Sequence, residues 1–564
     1  MKFKDYPYER PNMGNIEKEF NEVIETLKNA QSAEEQIGAI DRINKVRKAF
    51  DTMSSLCQVR LTIDTTDAFY EAEQNFFDEN QPLYANFETE LSKALFNSLF
   101  KNELIKKYGN QLFALIEANI KSFSPEIIKE LQEENRLLSE FRKLSASAKI
   151  PFDGKINNLS QMGPYHISFD RNIRREAEAA TMKFFEENET QYDEIYDGLV
   201  KVRTKMAKKL GYDNYVKLGY LRLGRTDYDS KMVANYRNQV ARDLVPVAES
   251  IIKAKGTRLG ITELKSYDLG IDFLSGNPKP IGNKEYLVES AQKMYSEMGK
   301  ETGEFFKFMC EHELMDLEAK KGKSGGGYCT YFPDFKSPFI FSNFNGTSAD
   351  VDVLTHEAGH AFQVYSSRDY EVPEYIWPTL EACEVHSMSM EFFAWPWMEL
   401  FFGDDADRYR YHHLAGTITF IPYGVLVDHF QHEIYENPDL TPEERKKVWR
   451  KLEKMYLPYK VYENEFLNKG TYWFRQSHIF QTAFYYIDYT LAQVCAQQYW
   501  IKNREDHKKA WESYLKLCKE GGSKSFLELL EVAGLENPFV EGTIKKVAVS
   551  LREFLEGFDQ SKLV

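Results

Sequence analysis

Apolar residues return every three to four positions through most of this chain, and that period restricts it to packed helices over most of its length. In segment 15–30, NIEKEFNEVIETLKNA, the residues Ile16, Phe20, Val23, Ile24 and Leu27 share one helical face. Ser32 and Glu35 make a capping-box start, and Ile37, Ile40, Ile43 and Val46 follow on one stripe. Ser124-Pro125-Glu126 puts a cap residue before a proline at the first helical position, and Thr441-Pro442-Glu443-Glu444 repeats the signal late in the chain. Two stretches break the period. Residues 149–170 carry turn residues between short apolar runs and read as a hairpin or an irregular loop. Residues 320–332, KKGKSGGGYCTYF, lead into SPFIFSNF and the turn NGT, which read as strands. The expected architecture is mainly α, with a small β-sheet beside the helix that follows. The first break divides it into an N-terminal helical lobe, 1–170, and a second lobe, 171–564.

The chain has 564 residues and a net charge of −15, and an acidic surface repels phosphate backbones and anionic lipid. Neither nucleic acid nor a membrane is therefore an expected partner. Cysteines 57, 310, 329, 383, 495 and 518 are scattered, with no C-x-x-C, which points to a reducing compartment rather than a disulfide framework. The N-terminus, MKFKDYPYERPN, has no apolar run of a signal peptide. The most apolar stretch, 387–402, contains Glu391, Pro396 and Glu399 and reads as a buried helix. A cytoplasmic location is expected.

Chemistry concentrates in TSADVDVLTHEAGHAFQVY, residues 347–365. His356 and His360 are four apart, so both imidazoles project from one face and can reach one zinc ion. Glu357 projects beside the metal, where it can take a proton from an attacking water. With 11 histidines in the chain, an H-E-x-x-H should arise by chance on the order of 0.02 times. A catalytic zinc needs a third protein ligand. In TLEACEVHSMSMEFF, Glu381, Glu384, Met388 and Glu391 recur on one face of an apolar helix. Burying those carboxylates demands a compensating cation. Glu384 is the expected ligand. Glu381 is expected to accept from a ligand histidine's second ring nitrogen, and Asp352, four residues before His356, is placed to do the same. The DHFQHE run offers His429, His432 and Glu433, but it lacks the H-E-x-x-H order and a second half-site, and reads as structural or cleft-lining. His412 and His413 are adjacent, point apart on a helix, and carry no signal.

The segments HEAGH and EACEVHSMSMEFF resemble those of the thimet oligopeptidase and oligopeptidase F family of zinc metallopeptidases, with the oligopeptidase F and Pz-peptidase branch nearest. The resemblance runs from about Gly327 to Trp500 and takes in GYCTYF, FIFSNFNGT, VDHFQHEIYE and RQSHIFQTAFYYIDYTLAQVCA. It implies two helical lobes enclosing a deep channel with one Zn²⁺ per chain on its floor. It also implies internal cleavage of short oligopeptides, with folded proteins excluded. A histidine and tyrosines set against the scissile carbonyl correspond to His478 and to Tyr489, followed by Tyr486 and Tyr485. The glutamate spacing departs slightly from the thimet branch and leaves Glu381 as an alternative to Glu384. Such donors fit the chemistry, because Tyr O–H and His N–H groups stabilise an oxyanion.

SPFIFSNFNGT reads as an edge strand to which an extended peptide can add, with Phe341, Ser342, Asn343 and Gly346 in contact with substrate. Gly325, Gly326 and Gly327 permit close backbone approach or belong to a plain flexible loop. A peptidyl-dipeptidase or carboxypeptidase of the same zinc class would also need a group to grip a C-terminal carboxylate, and the spacing names none. A non-catalytic zinc-containing peptide-binding protein would have no need of Glu357.

Overall fold

The periodic segments form capped helices. Ser32 Oγ accepts the Glu35 N–H at 3.3 Å and starts the helix Ala33–Ile63. Ser124 caps a 3-10 turn over Pro125–Ile127 that runs into Ile128–Ala146. Thr441 and Glu444 satisfy each other's backbone N–H groups at the head of Pro442–Tyr456. The computed structural model describes residues 1–563 and is mainly α. Residues 149–170 include an antiparallel hairpin, β1 (Ile150–Phe152) with β2 (Lys155–Asn157). Its turn residues Asp153 and Gly154 take φ of 52° and 70°, the left-handed pair that matches strand twist. Among the described residues, no helix is long and apolar enough to cross a membrane. The cysteines are all free.

Two apolar cores organise the helices. The smaller is built from Ile16 to Ile116, with Val372 and Tyr375 from beyond. The larger runs from Ile127 to the C-terminus and also takes in Tyr6, Leu56 and Val59. The cores therefore divide between Ile116 and Ile127, upstream of the boundary near 170 expected from the break in period. The reason is that Ile128–Ala146 packs on Glu189–Lys209 so closely that a Cβ on Gly198 would lie 3.0 Å from Leu137 Cδ1. The helix Ala33–Ile63 is tied across by Arg47 to Glu374 at 2.6 Å and by Thr62 Oγ1 to the Tyr328 hydroxyl at 2.6 Å.

A three-stranded sheet lies beside these helices in the order β3 (Met315–Glu318), β5 (Ser337–Phe344), β4 (Tyr328–Phe332). SPFIFSNF is thus the central strand, parallel to β3 and antiparallel to β4, and the edge-strand expectation is overturned. Residues 337–342 are all buried, and such an unbroken run belongs to a strand covered on both faces. β4 is the edge next to the helix α1 (Ala349–Ser367).

Three further helices complete the frame: α2 (Leu380–Phe393), α3 (Ala406–Glu436) and α4 (Tyr486–Glu505). Glycines set two of the crossings. A Cβ on Gly359 would fall 2.7 Å from Ser387 Cα, and one on Gly424 would fall 2.2 Å from Thr490 Cγ2. The glycine inside HEAGH therefore lets α1 and α2 touch backbone to backbone, which brings Glu384 under the two histidines.

Candidate metal centre and its donor groups

His356 and His360 present their rings edge to face with centroids 5.0 Å apart. Their Nε2 atoms lie 3.3 and 3.5 Å from one oxygen, Oε2 of Glu384. The three candidate ligand atoms all fall within 4.8 Å of one another. In a tetrahedron with bonds of about 2.0–2.1 Å, neighbouring ligands stand roughly 3.3–3.4 Å apart, so the donor set fits zinc. Among the described residues it is the one such cluster. Burial pushes the Glu384 carboxyl up, but the two histidines outweigh it and hold the group well below the usual range. Burial likewise opposes charge on His356, yet Glu384 and Glu391 hold its pKa well above the usual value. The pocket is built for positive charge, which a bound metal would provide in place of that proton.

The orientation of His356 follows from a chain of contacts that begins at Trp395. An indole N–H can only donate, and it reaches His413 Nδ1 at 3.2 Å. His413 must then carry its proton on Nε2, which meets Glu391 Oε2 at 2.7 Å. Glu391 Oε1 lies 2.6 Å from His356 Nδ1. With Nδ1–H donated there, the Nε2 lone pair of His356 faces the metal position. Burial raises the Glu391 carboxyl, but His356 and His413 outweigh it and hold the pKa at about 2, so the acceptor stays ionised. Glu391→Gln is expected to weaken zinc about 10–100-fold, measured by competition with a chromophoric chelator. An unchanged affinity would remove Glu391 from the support of His356.

Glu391 stands where the sequence suggested Glu381 or Asp352. Glu381 instead accepts from the Tyr228 hydroxyl and lies 3.8 Å from Arg225 Nε. The crossing at Gly359 and Ser387 runs antiparallel, so Glu391 falls beside His356 while Glu381 falls beyond His360. His360 Nδ1 consequently has no protein acceptor among the described residues. Asp352 accepts from Tyr409 Oη at 2.5 Å, and the Tyr409 ring stacks on His413. It supports the chain one layer further out and touches neither ligand histidine. His413, which carried no signal in the sequence, is part of the chain because its partner is 22 residues away. His432 and His429 pack against Tyr220 and Tyr456 hydroxyls, at 3.1 and 2.9 Å, as structural groups.

Glu357 is buried beside the metal position, and among the described residues no protein group is hydrogen-bonded to its oxygens. Burial pushes its pKa up against the pull of His356 and His360. β4 begins at its side: a Cβ on Gly327 would lie 3.7 Å from Glu357 Oε1 and 3.4 Å from the Phe341 carbonyl. The residues expected to touch substrate are occupied otherwise. Phe341 is buried against Tyr328, with ring centroids 4.8 Å apart. The Ser342 carbonyl accepts from Lys323 Nζ. Asn343 Nδ2 donates to the Ser324 and Gly326 carbonyls at 2.9 and 2.8 Å, and Gly346 N–H donates to Asp350 at 2.7 Å. They hold the glycine-rich loop and the head of α1.

On the other side stands the turn before α4. The Tyr485 hydroxyl donates to Glu384 Oε1 at 3.2 Å. Tyr489, one helical turn on, sets its ring tilted against Tyr485 and edge-on to His478, with centroids 5.0 and 5.8 Å away. Tyr486 is rotated about 100° from that face and packs on Phe420 and Tyr423. Of the three tyrosines expected as donors, Tyr485 is the one hydrogen-bonded to Glu384, the candidate ligand. The cause is Phe484, which takes a left-handed φ of 68°. It is held there by Gln431 on its N–H, at 3.0 Å, and by Arg225 on its carbonyl, at 2.6 Å. Nothing in the local sequence marks Gln431 or Arg225 for this task. His478 is oriented by a second chain. The Tyr423 hydroxyl donates to Gln476 Oε1, and Gln476 Nε2 donates to His478 Nδ1, each at 2.8 Å. The ring proton then sits on Nε2, free to be donated, and burial lowers the pKa so that the ring is neutral.

The chain is similar to several known proteins. Residues 3–123 match the peptidase M3 N-terminal domain, and residues 285–549 match peptidase family M3. Oligopeptidase PepF of Bacillus subtilis (strain 168) is 23% identical over 560 residues, spanning 92% of this chain and 81% of that protein. The structure of Pz peptidase A with an inhibitor superposes with a TM-score of 0.95 at 53% identity, over 99% of this chain and 100% of that one. Oligoendopeptidase F from Enterococcus faecium shares the fold, with a TM-score of 0.65 at 17% identity over 96% of each chain.

Proposed function

The chain belongs to peptidase family M3 and is a metallo-oligopeptidase, and from that premise we propose that it is a zinc-dependent oligoendopeptidase that cuts internal bonds of short peptides in the cytoplasm. The observation that carries this reading is the convergence of His356 Nε2, His360 Nε2 and Glu384 Oε2 beside the unbonded carboxylate of Glu357. Zinc held by those three residues would supply a Lewis acid that lowers the pKa of a water to about 7 and polarises a carbonyl. Glu357 takes the proton of the attacking water and passes it to the departing amine. His478 Nε2–H and the hydroxyls of Tyr485 and Tyr489 donate to the oxyanion of the tetrahedral intermediate. The outward edge of β4, rather than β5, offers main-chain groups to an extended substrate, so backbone is recognised more than side chains. The free cysteines fit a reducing compartment.

Mass spectrometry of a mixed peptide digest tests this directly. Short peptides should be cut internally, chelator should abolish the cuts, and added zinc should restore them. Native globular proteins should stay intact because their chains cannot reach the metal. Chelator-resistant cleavage, or rapid digestion of native proteins, would overturn the reading.

A further inference from the structure

Arg475 lies three residues before His478, in the 3-10 turn Tyr472–Arg475. The residue is exposed, and its guanidinium lies over the Tyr472 ring, with Cζ 5.0 Å from the ring centre; Tyr472 packs on Tyr423 and Tyr423 on Tyr486, with ring centroids 6.1 and 6.0 Å apart. Tyr486 in turn packs on His478 with ring centroids 4.9 Å apart. A run of partly exposed rings thus joins this exposed guanidinium to His478. Its protein hydrogen bond is from Nη1 to the Tyr472 hydroxyl at 3.1 Å. Among the described residues, no carboxylate comes within 4.0 Å of it.

The arginines buried elsewhere in this molecule are paired with carboxylates. Arg203 is paired with Glu134 at 2.6 Å, Arg225 with Asp488 at 2.6 Å, and Arg237 with Asp428 at 2.7 Å. Near Arg475 the available acid is Glu178, which instead accepts from the Ser266 hydroxyl at 2.6 Å. Lys460 adds positive charge on the same tyrosine, with Nζ 3.1 Å from the Tyr472 ring centre, but Glu453 already lies 3.7 Å from it. A positive, wet, unpaired fork inside a chain of net charge −15 is a receptor for an incoming carboxylate, whose planar pair of oxygens matches it. Gln476 between them is extended, with φ −89° and ψ 92°, so the Cα atoms of Arg475 and His478 stand up to about 10 Å apart. With the reach of an arginine side chain, this places the anchored group roughly two or three extended residues from a carbonyl at His478.

We propose that Arg475 anchors a carboxylate of the peptide substrate, two or three residues from the scissile bond. This rests on the peptidase reading above, since it takes the interior beside His478 as the path of the substrate. A C-terminal carboxylate is present on every short peptide and is rarely deliverable by a folded protein, so the contact adds a reason for the preference for short chains. An acidic side chain offers the same chemistry.

The test uses zinc-loaded Glu357→Gln protein, which binds without turnover, and isothermal titration with paired peptides. One pair ends as free acid or amide. A second pair, amidated, carries Glu or Gln two or three residues beyond the scissile bond. The free acid should bind about tenfold tighter than the amide. Arg475→Gln should erase that difference and leave the Kd of the amide where it was, while Arg475→Lys should retain part of it. If the Arg475-dependent difference appears in the Glu/Gln pair instead, the anchored carboxylate is a side chain's. If Arg475→Gln and Arg475→Lys leave both ratios unchanged, or weaken all four peptides equally, the anchor does not exist. In the active enzyme, KM should follow the same ratios with kcat shifting less. A chain that binds with these ratios but cuts nothing would sink the peptidase reading and leave the anchor standing.

Discussion

Glu357→Gln is expected to leave one zinc bound per chain and to lower kcat by about 10²–10⁴-fold. The substitution keeps the shape of the side chain and touches none of His356, His360 or Glu384, whose atoms define the metal position. It removes the capacity to take a proton. The native carboxylate has no hydrogen-bond partner to lose among the described residues, so the change should cost little stability. Burial already favours its neutral form, which suits a group that must hold a proton between the water and the amine. Atomic absorption gives the metal content, and an internally quenched peptide gives kcat and KM. Near-normal turnover with zinc in place would end the mechanism proposed for Glu357.

Tyr485→Phe, Tyr489→Phe and His478→Ala form the second set, each expected to lower kcat by about 10²–10³-fold with KM changed only modestly. The reason for the split is that an oxyanion donor acts mainly in the transition state. Tyr485 has the strongest claim of the tyrosines, because its hydroxyl already lies 3.2 Å from Glu384 Oε1. The phenylalanine variants keep their rings, so the packing of Tyr485, Tyr489 and His478 should survive. Tyr486→Phe is the control, since its ring packs on Phe420 and Tyr423 rather than toward Glu384. Metal content separates a lost donor from a disturbed ligand, which matters for Tyr485 above all. Should Tyr486→Phe be crippled while Tyr485→Phe and Tyr489→Phe turn over normally, the donor face of α4 has been misassigned.

What the sequence determined by itself was everything governed by local repeat. The 3.6-residue period identified the helices, cap residues such as Ser32 and Thr441 located their starts, and the four-residue spacing of His356 and His360 aimed two imidazoles at one point. Glu384 was legible because a carboxylate buried in an apolar helix requires a cation. The tertiary structure decided what depends on register between elements. Glu391 rather than Glu381 supports His356 because Gly359 sets where α1 crosses α2. Ser337–Phe344 became the central strand because a strand some 20 residues upstream covers the side that the hairpin partner β4 leaves open. Tyr485 came to Glu384 because Phe484, held left-handed by Gln431 and Arg225, resets the start of α4. His413 and Arg475 owe their character to neighbours distant in the chain. Spacing along one helix is a property of the backbone, whereas the crossing of two helices and the order of strands are set by which side chains fit when they meet.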